Sequence, residues 1–305
     1  MPTINGQTFT VAADCSNMQS IINQAAAITG AANHQILISP STVCKGNYKL
    51  PARAGSGWIV VRTSTPDSQL PPEGSRITPA YTSLLPTLSS VNTYVNALDG
   101  VFYINENPSS KWRFVGLKFT GQSGYHSTLF TIGYEGANIV IDRNIFFSDK
   151  SNGETVLESI QASGSQIVIA NSYIYNVRPG DLALAIDITS AKGILIDNNY
   201  INAPGISVFA QEFGNVVQGS DYKITRNYFE WDKAYINNSI TRHQIEFKSG
   251  NRILIDGNTF TSMWAGGITG SISPSILFSP RNGWPGSPSF DNYICLLYTS
   301  DAADE

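Results

Sequence analysis

Charge is scarce in this chain. Asp, Glu, Lys and Arg make up 14% of its 305 residues, and histidine and methionine each occur three times. Basic residues do not outnumber acidic ones, so there is no cationic surplus to hold nucleic acid or an anionic membrane surface. Apolar runs are short as well. None approaches the ~18–20 residues that span a bilayer, which argues against a membrane partner. Met1-Pro-Thr-Ile-Asn-Gly6 lacks the charged start and apolar run of a signal peptide. That leaves a cytoplasmic protein or a natural N-terminus upstream of Met1. Cysteine is equally rare, with Cys15, Cys44 and Cys295 too scattered for a zinc site, and no metal or other cofactor is expected. Cys15 and Cys44 fit either a disulfide closing the N-terminal region or two inert buried thiols, and the thiol reading is slightly preferred.

What the chain does have is a repeat. Ile139-Val-Ile-Asp-Arg-Asn-Ile-Phe146, Ile167 to Ile174, Ile194 to Ile201, Tyr222 to Phe229 and Ile253 to Phe260 share one octet pattern, and Trp112 to Phe119 keeps its apolar positions. The octets start 27, 28, 27, 28 and 31 residues apart. A repeat of this length built on alternating apolar and polar residues is the signature of a β-solenoid. No single turn can bury its own inner face, so turns must stack into one continuous core. A second strand segment precedes the octet by about eight residues, as in Leu184–Ile188 and Gln244–Lys248. Strands joined in one sense with no helices between them predict an all-β parallel β-helix. Asn144, Asn199, Asn227 and Asn258 share one octet position, which predicts a ladder of turn asparagines in left-handed conformation.

Three segments depart from the repeat. Ser16-Asn-Met-Gln19 reads as a capping box opening a helix over 16–29, whose apolar residues Met18, Ile21, Ile22, Ala25 and Ala26 would cover the first coil. Residues 66–86 hold five prolines and read as a long excursion along the solenoid side. Finally, Cys295-Leu-Leu-Tyr-Thr-Ser-Asp-Ala-Ala-Asp-Glu305 reads as the in-frame translation of a sequencing adapter. It is set apart as a non-native tail, 295–305. Residues 1–294 then form one β-helix domain, truncated at its C-terminus. Without the tail, 19 basic residues face 20 acidic ones.

The helix-then-coils plan and the Ile-x-Ile-Asp-x-Asn-x-Phe octets resemble the pectate-lyase-like superfamily of right-handed parallel β-helices. Gly57-Trp-Ile-Val-Val-Arg-Thr-Ser64, Leu70 to Pro79, Arg113 to Leu117, Phe247-Lys248 with Arg252 to Asn258, and Ile276 to Asn282 are similar to bacterial right-handed β-helix repeat proteins. That resemblance implies an extracellular or periplasmic protein that cleaves polysaccharides, often of acidic sugars. The Asn-Thr-Asp, Asp-Asp, Gly-His-Gly and Arg-Ile-Lys motifs of polygalacturonase-like hydrolases are absent. Ile141-Asp142-Arg143 and Ile255-Asp256-Gly257 stand where pectate lyases often read Ile-Asp-His, and Asp142, Asp197 and Asp256 recur as turn residues rather than metal ligands.

Strand alternation selects candidate site residues. With Ile245 and Phe247 inward, Glu246 and Lys248 point outward, and Asp187 falls in the Glu246 column. One coil between them sets the carboxyls about 10 Å apart, near the upper end of the ~6.5–9.5 Å spacing of inverting glycosidases. Lys248 suits the base of a β-elimination if its pKa is lowered. Glu246, Asp187 and Lys248 are thus the catalytic candidates. Gln211, Glu212 and Asn215 are expected to lean in from the intervening coil, with His243 beside it. Trp264 and Trp284 offer indole faces to sugar rings, and Arg281 with Asn282 offers donors to a carboxylate or hydroxyl-rich ligand. The expected partner is a polysaccharide or oligosaccharide, bound by an enzyme or by a non-catalytic cell-surface β-helix.

Overall fold

A computed structural model describes residues 1–91, 100–104, 108–121, 124–148, 154–176, 183–203, 205–212, 219–231, 242–261, 274–279 and 297–298. The chain winds into a right-handed parallel β-helix of about eight turns. Each turn contributes one strand to each of three sheets. The first sheet holds ten strands, from Thr8–Thr10 to Leu297–Tyr298. The second runs from Tyr48–Lys49 through Gly124–Ile132, Glu154–Ala162, Leu184–Thr189, Ile206–Gln211 and His243–Phe247 to Ile276–Phe278. The third runs from Val43–Lys45 to Thr259–Phe260, and pairing throughout is parallel.

Each octet is a first-sheet strand, a sharp turn and the start of a third-sheet strand. Its two leading apolar positions face inward. Ile139, Ile167, Ile194, Tyr222 and Ile253 stack in register, as do Ile141, Ile169, Ile196, Ile224 and Ile255, all buried. Burying each such side chain is worth roughly 1.5–3 kcal/mol. Near the N-terminal coils the core is aromatic, with Phe114 4.9 Å from Phe102 and 4.8 Å from Phe130.

The turn differs from expectation by one residue. The left-handed conformation falls on Gly116, Arg143, Asn171, Asn198, Arg226 and Gly257, with φ between 52° and 64°, immediately before the ladder position. The ladder asparagines have their side chains turned inward instead. Asn199 Nδ2 donates to Ile169 O at 2.9 Å and to Asn227 Oδ1 at 3.0 Å, while its Oδ1 accepts from Ser172 N. Asn227 repeats the pattern toward Ile196 and Asn258. A side chain that satisfies buried backbone groups of the previous coil needs ordinary backbone angles, so its neighbour makes the bend.

Helix Met18–Ala27 buries Met18, Ile21, Ile22, Ala25 and Ala26 against the first coil. It has no capping box. Asn17 is the cap residue without a side-chain cap bond, Ser16 Oγ donates to Asp14, and Gln19 bonds the Lys49 backbone instead. Cys15 and Cys44 form a disulfide with Cα atoms 5.4 Å apart, which overturns the thiol reading. The helix places Cys15 beside strand Val43–Lys45, a proximity that two isolated cysteines do not announce in sequence.

Residues 66–86 lie along the solenoid and hold two short 3-10 helices, Asp67–Gln69 and Pro79–Leu84. Ile77 N donates to Asn171 O, Arg143 donates to Pro71 O, and Arg76 donates to Asn198 O and Arg226 O. Leu70, Ile77 and Leu85 pack on Ile145. At the other end, Leu297–Tyr298 pairs with Ile253 and Leu254, so two residues of the segment set apart as a tail extend the first sheet. An edge strand leaves a row of unpaired backbone groups that an extended dipeptide satisfies.

Candidate active site on the outer face of the second sheet

The register of the second sheet fixes which side chains share a face. Phe130, Ile160, Ile186, Val208, Ile245 and Ile276 form one inward row, and Ile132, Ala162, Ile188, Ala210, Phe247 and Phe278 another. Between them runs an outward row of Thr131, Gln161, Asp187, Phe209, Glu246 and Leu277. Asp187 and Glu246 therefore share a row with one coil between them, and Phe209 is the residue that separates them.

Alternation breaks just before this row. Ala185 and Ile186 are consecutive, yet both belong to the core, so Leu184 and Asp187 come to the same outer side although three residues apart. Leu184, Ile206 and Phe209 form a small apolar cluster apart from the main core, and Thr128 Oγ1 lies 3.0 Å from Thr131 Oγ1 in the same relation. The break brings Glu158, paired across the ladder with Leu184, onto the outer face beside Asp187. Strict alternation would have placed it inward with Ile160, which is why sequence reasoning missed it.

Glu158 and Asp187 lie side by side, close enough for each carboxyl to act on the other. Both are buried, at 9% and 1% exposure. Gln211 Nε2 donates to both Asp187 oxygens at 3.2 and 3.1 Å, whereas Glu158 Oε2 meets no donor among the described residues. Burial raises the Glu158 carboxyl well above its ordinary value, and the neighbouring Asp187 raises it further. Burial also pushes Asp187 up to about 7, against the opposing hydrogen bonds from Gln211 and Glu158. Both shifts favour the protonated form of the pair.

The second cluster has the opposite polarity. Burial alone would raise Glu246, but hydrogen bonds from Lys248 and Ser279 outweigh it and hold the carboxylate below its usual range. Ser279 Oγ donates to Glu246 Oε1 at 2.9 Å, and Lys248 Nζ pairs with the same oxygen. Lys248 Nζ also lies 5.4 Å from the centre of the Phe209 ring, a cation–π contact. Ser279 is a second residue the sequence reading passed over. Its place just after strand Ile276–Phe278, beside Lys248 in the next coil, is visible only in register.

Of the other expected residues, His243 is half-buried, with Nδ1 3.2 Å from Pro274 O, and its pKa is lowered chiefly by burial. Glu212 turns away from the carboxyl pair, accepting from Gly219 N at 3.0 Å and from Ser249 Oγ. Trp264, Trp284, Arg281, Asn282 and Asn215 lie outside the described residues. Asp142 is bound by Arg113, Arg143 and Asn171, and Asp197 by Thr225 and Arg226. Among the described residues, no group of three or more His, Cys, Asp or Glu is arranged to hold a metal ion. No described helix is long and apolar enough to cross a membrane.

The chain is thus a parallel β-helix with buried carboxyl groups on the outer face of its second sheet. No family model and no curated protein sequence matches it. Among solved structures it is similar to an alginate lyase from Paenibacillus sp. str. FPU-7, with TM-score 0.49 and 14% identity over 91% of this chain and 99% of that one. It is also similar to the pectin methylesterase from Aspergillus niger in deglycosylated form, with TM-score 0.46 and 12% identity, covering 99% and 93% of the two chains. For the rice weevil pectin methyl esterase the corresponding values are 0.47, 14%, 98% and 90%.

Proposed function

We propose that the protein is a polysaccharide-active enzyme that hydrolyses glycosidic bonds across the outer face of the second sheet. One observation carries this reading. Two buried carboxyl groups in one outward row have opposite surroundings, Asp187 set beside the acid Glu158 and raised by burial, Glu246 held low by its bonds to Lys248 and Ser279. Environments that push two carboxyls apart in this way assign one as acid and the other as base. Two coil steps of about 4.8 Å separate their backbones by roughly 10 Å, near the carboxyl spacing that inversion uses.

Asp187 would protonate the departing sugar oxygen while Glu246 takes a proton from the attacking water. Lys248 is less suited to β-elimination, because its ammonium is bound to Glu246 and serves to keep that carboxylate ionised. The disulfide supports an extracellular or periplasmic setting, since such bonds persist where the milieu is oxidising. A non-catalytic, carbohydrate-binding role draws on a different observation, the burial of Asp187 at 1% and Glu246 at 2% exposure.

The test is a panel of plant, algal and bacterial polysaccharides, read by reducing ends for hydrolysis and by absorbance of unsaturated products for elimination. Glu246→Gln and Asp187→Asn should each lower kcat on the cleaved polysaccharide by roughly 10²–10⁴-fold with the fold intact. Unsaturated product that vanishes in Lys248→Met would instead establish a lyase. Binding without cleavage, unchanged by Glu246→Gln, would establish the non-catalytic role.

A further inference from the structure

Two carboxyl groups in contact inside a protein cannot both ionise, because each has lost its water and each repels the other. Glu158 and Asp187 are in this position. No Lys, Arg or His whose side chain is described bonds to either, and Gln211 donates to Asp187. Besides Glu158, the described titratable groups that sense Asp187 include two tyrosines. Tyr134 follows strand Gly124–Ile132, and Tyr222 belongs to strand Ser220–Thr225. Both phenols are pushed up, mainly by burial and further by the carboxylates, and are neutral across the working range. Farther along the outer face, Glu212 is engaged by Ser249 and Gly219, and Glu246 by Lys248. Nothing described here neutralises the pair except a proton.

We propose that Glu158 is a positioning residue of the hydrolytic site: it shares one proton with Asp187, and this is the proton that Asp187 delivers to the departing sugar oxygen. The inference rests on the hydrolase reading above. As the glycosidic C–O bond breaks, the proton passes from Asp187 to the leaving oxygen, and the electron pair of that bond goes with the oxygen. The attacking water gives its oxygen to the anomeric carbon and one proton to Glu246. A proton returned from Glu246 through solvent to the pair restores the starting state. Glu158 holds the supply at Asp187, and Gln211, bonded to both Asp187 oxygens, fixes the direction in which it is offered.

The experiment has two arms. In the first, kcat/KM is followed against pH on a polysaccharide that the wild type hydrolyses. The basic limb should lie near pH 7, the value toward which Asp187 is pushed. In Glu158→Gln an amide donates to Asp187 without holding a mobile proton, so the limb should move down by about one pH unit or more. Glu158→Asp should restore it. A uniform loss of rate in Glu158→Gln with the limb unmoved would overturn the assignment, since that is what a merely structural role predicts.

The second arm needs no activity. Folded-state values of both carboxyls are raised, so their contribution to stability is complete below the unfolded values of about 4 and is lost as pH rises through the folded ones. The wild-type Tm should therefore fall between pH 5 and pH 8.5, and Glu158→Gln and Asp187→Asn should each flatten that fall. Equal slopes in all three proteins would refute the shared proton. Should the wild type hydrolyse nothing, the hydrolase reading and the proton delivery fall together, while the shared proton stands or falls on the Tm slopes alone.

Discussion

The outer faces of the first and second sheets are built by the same coils and could hardly differ more. On the first sheet the outward row reads Arg113, Val140, Val168, Leu195, Lys223 and Leu254, all at least partly exposed. On the second sheet the middle of the row reads Asp187, Phe209 and Glu246, all buried and flanked by the buried Glu158, between the partly exposed Gln161 and Leu277. Apolar side chains thus face solvent where packing does not need them, and carboxylates are buried where they are costly to keep. The buried acid of the first sheet, Asp142, is held by Arg113, Arg143 and Asn171, whereas no described cation bonds Asp187 or Glu158. On the proposed reading, the second sheet carries the chemistry and the first is a wall.

Substitution on the two faces should separate them sharply. Phe209→Asp adds an uncompensated charge between Asp187 and Glu246 and should cost about 3–5 kcal/mol, read from urea denaturation. Removing the disulfide with Cys15→Ser and Cys44→Ser comes next. It frees a loop of 29 residues and should cost roughly 3–4 kcal/mol by the loop-entropy relation, while leaving the kcat/KM of the second-sheet site unchanged. Asn199→Ala lies on neither face. It orphans the buried Ile169 carbonyl and Ser172 amide, and a loss of about 2–4 kcal/mol with an unaltered pH slope would show that acid dependence belongs to the second sheet. Val168→Asp should have the smallest effect, about 1 kcal/mol or less. If it matched Phe209→Asp, the contrast between the faces would be false.

Much of this contrast can be read in the sequence, and its limits are instructive. The octets reveal the first and third sheets because their isoleucines alternate strictly. Distance from the octet puts Asp187 and Glu246 in one outward row, since Asp187 precedes Ile194, and Glu246 precedes Ile253, by the same seven residues. Glu158 escapes because the second-sheet strand bends between Leu184 and Ile186, and period-two counting across a bend reverses the face. The left-handed residue was displaced by one for a related reason. An asparagine is a plausible bend residue on its own, and only the hydrogen bonds to the previous coil reveal that its side chain is occupied as a cap. The Cys15–Cys44 bond depends on where the capping helix starts and where the first coil returns, and no local pattern encodes that meeting.

The central claim is that the second sheet buries a carboxyl pair holding one proton at neutral pH. Infrared difference spectroscopy of the wild type against Glu158→Gln, at pH 7 and with isotope-edited glutamate, reads that proton directly. The carbonyl stretch of a protonated, buried carboxylic acid should be present in the wild type, disappear in Glu158→Gln, and shift when Asp187→Asn removes its hydrogen-bond partner. A wild-type spectrum with only ionised carboxylate bands at Glu158 would contradict the claim.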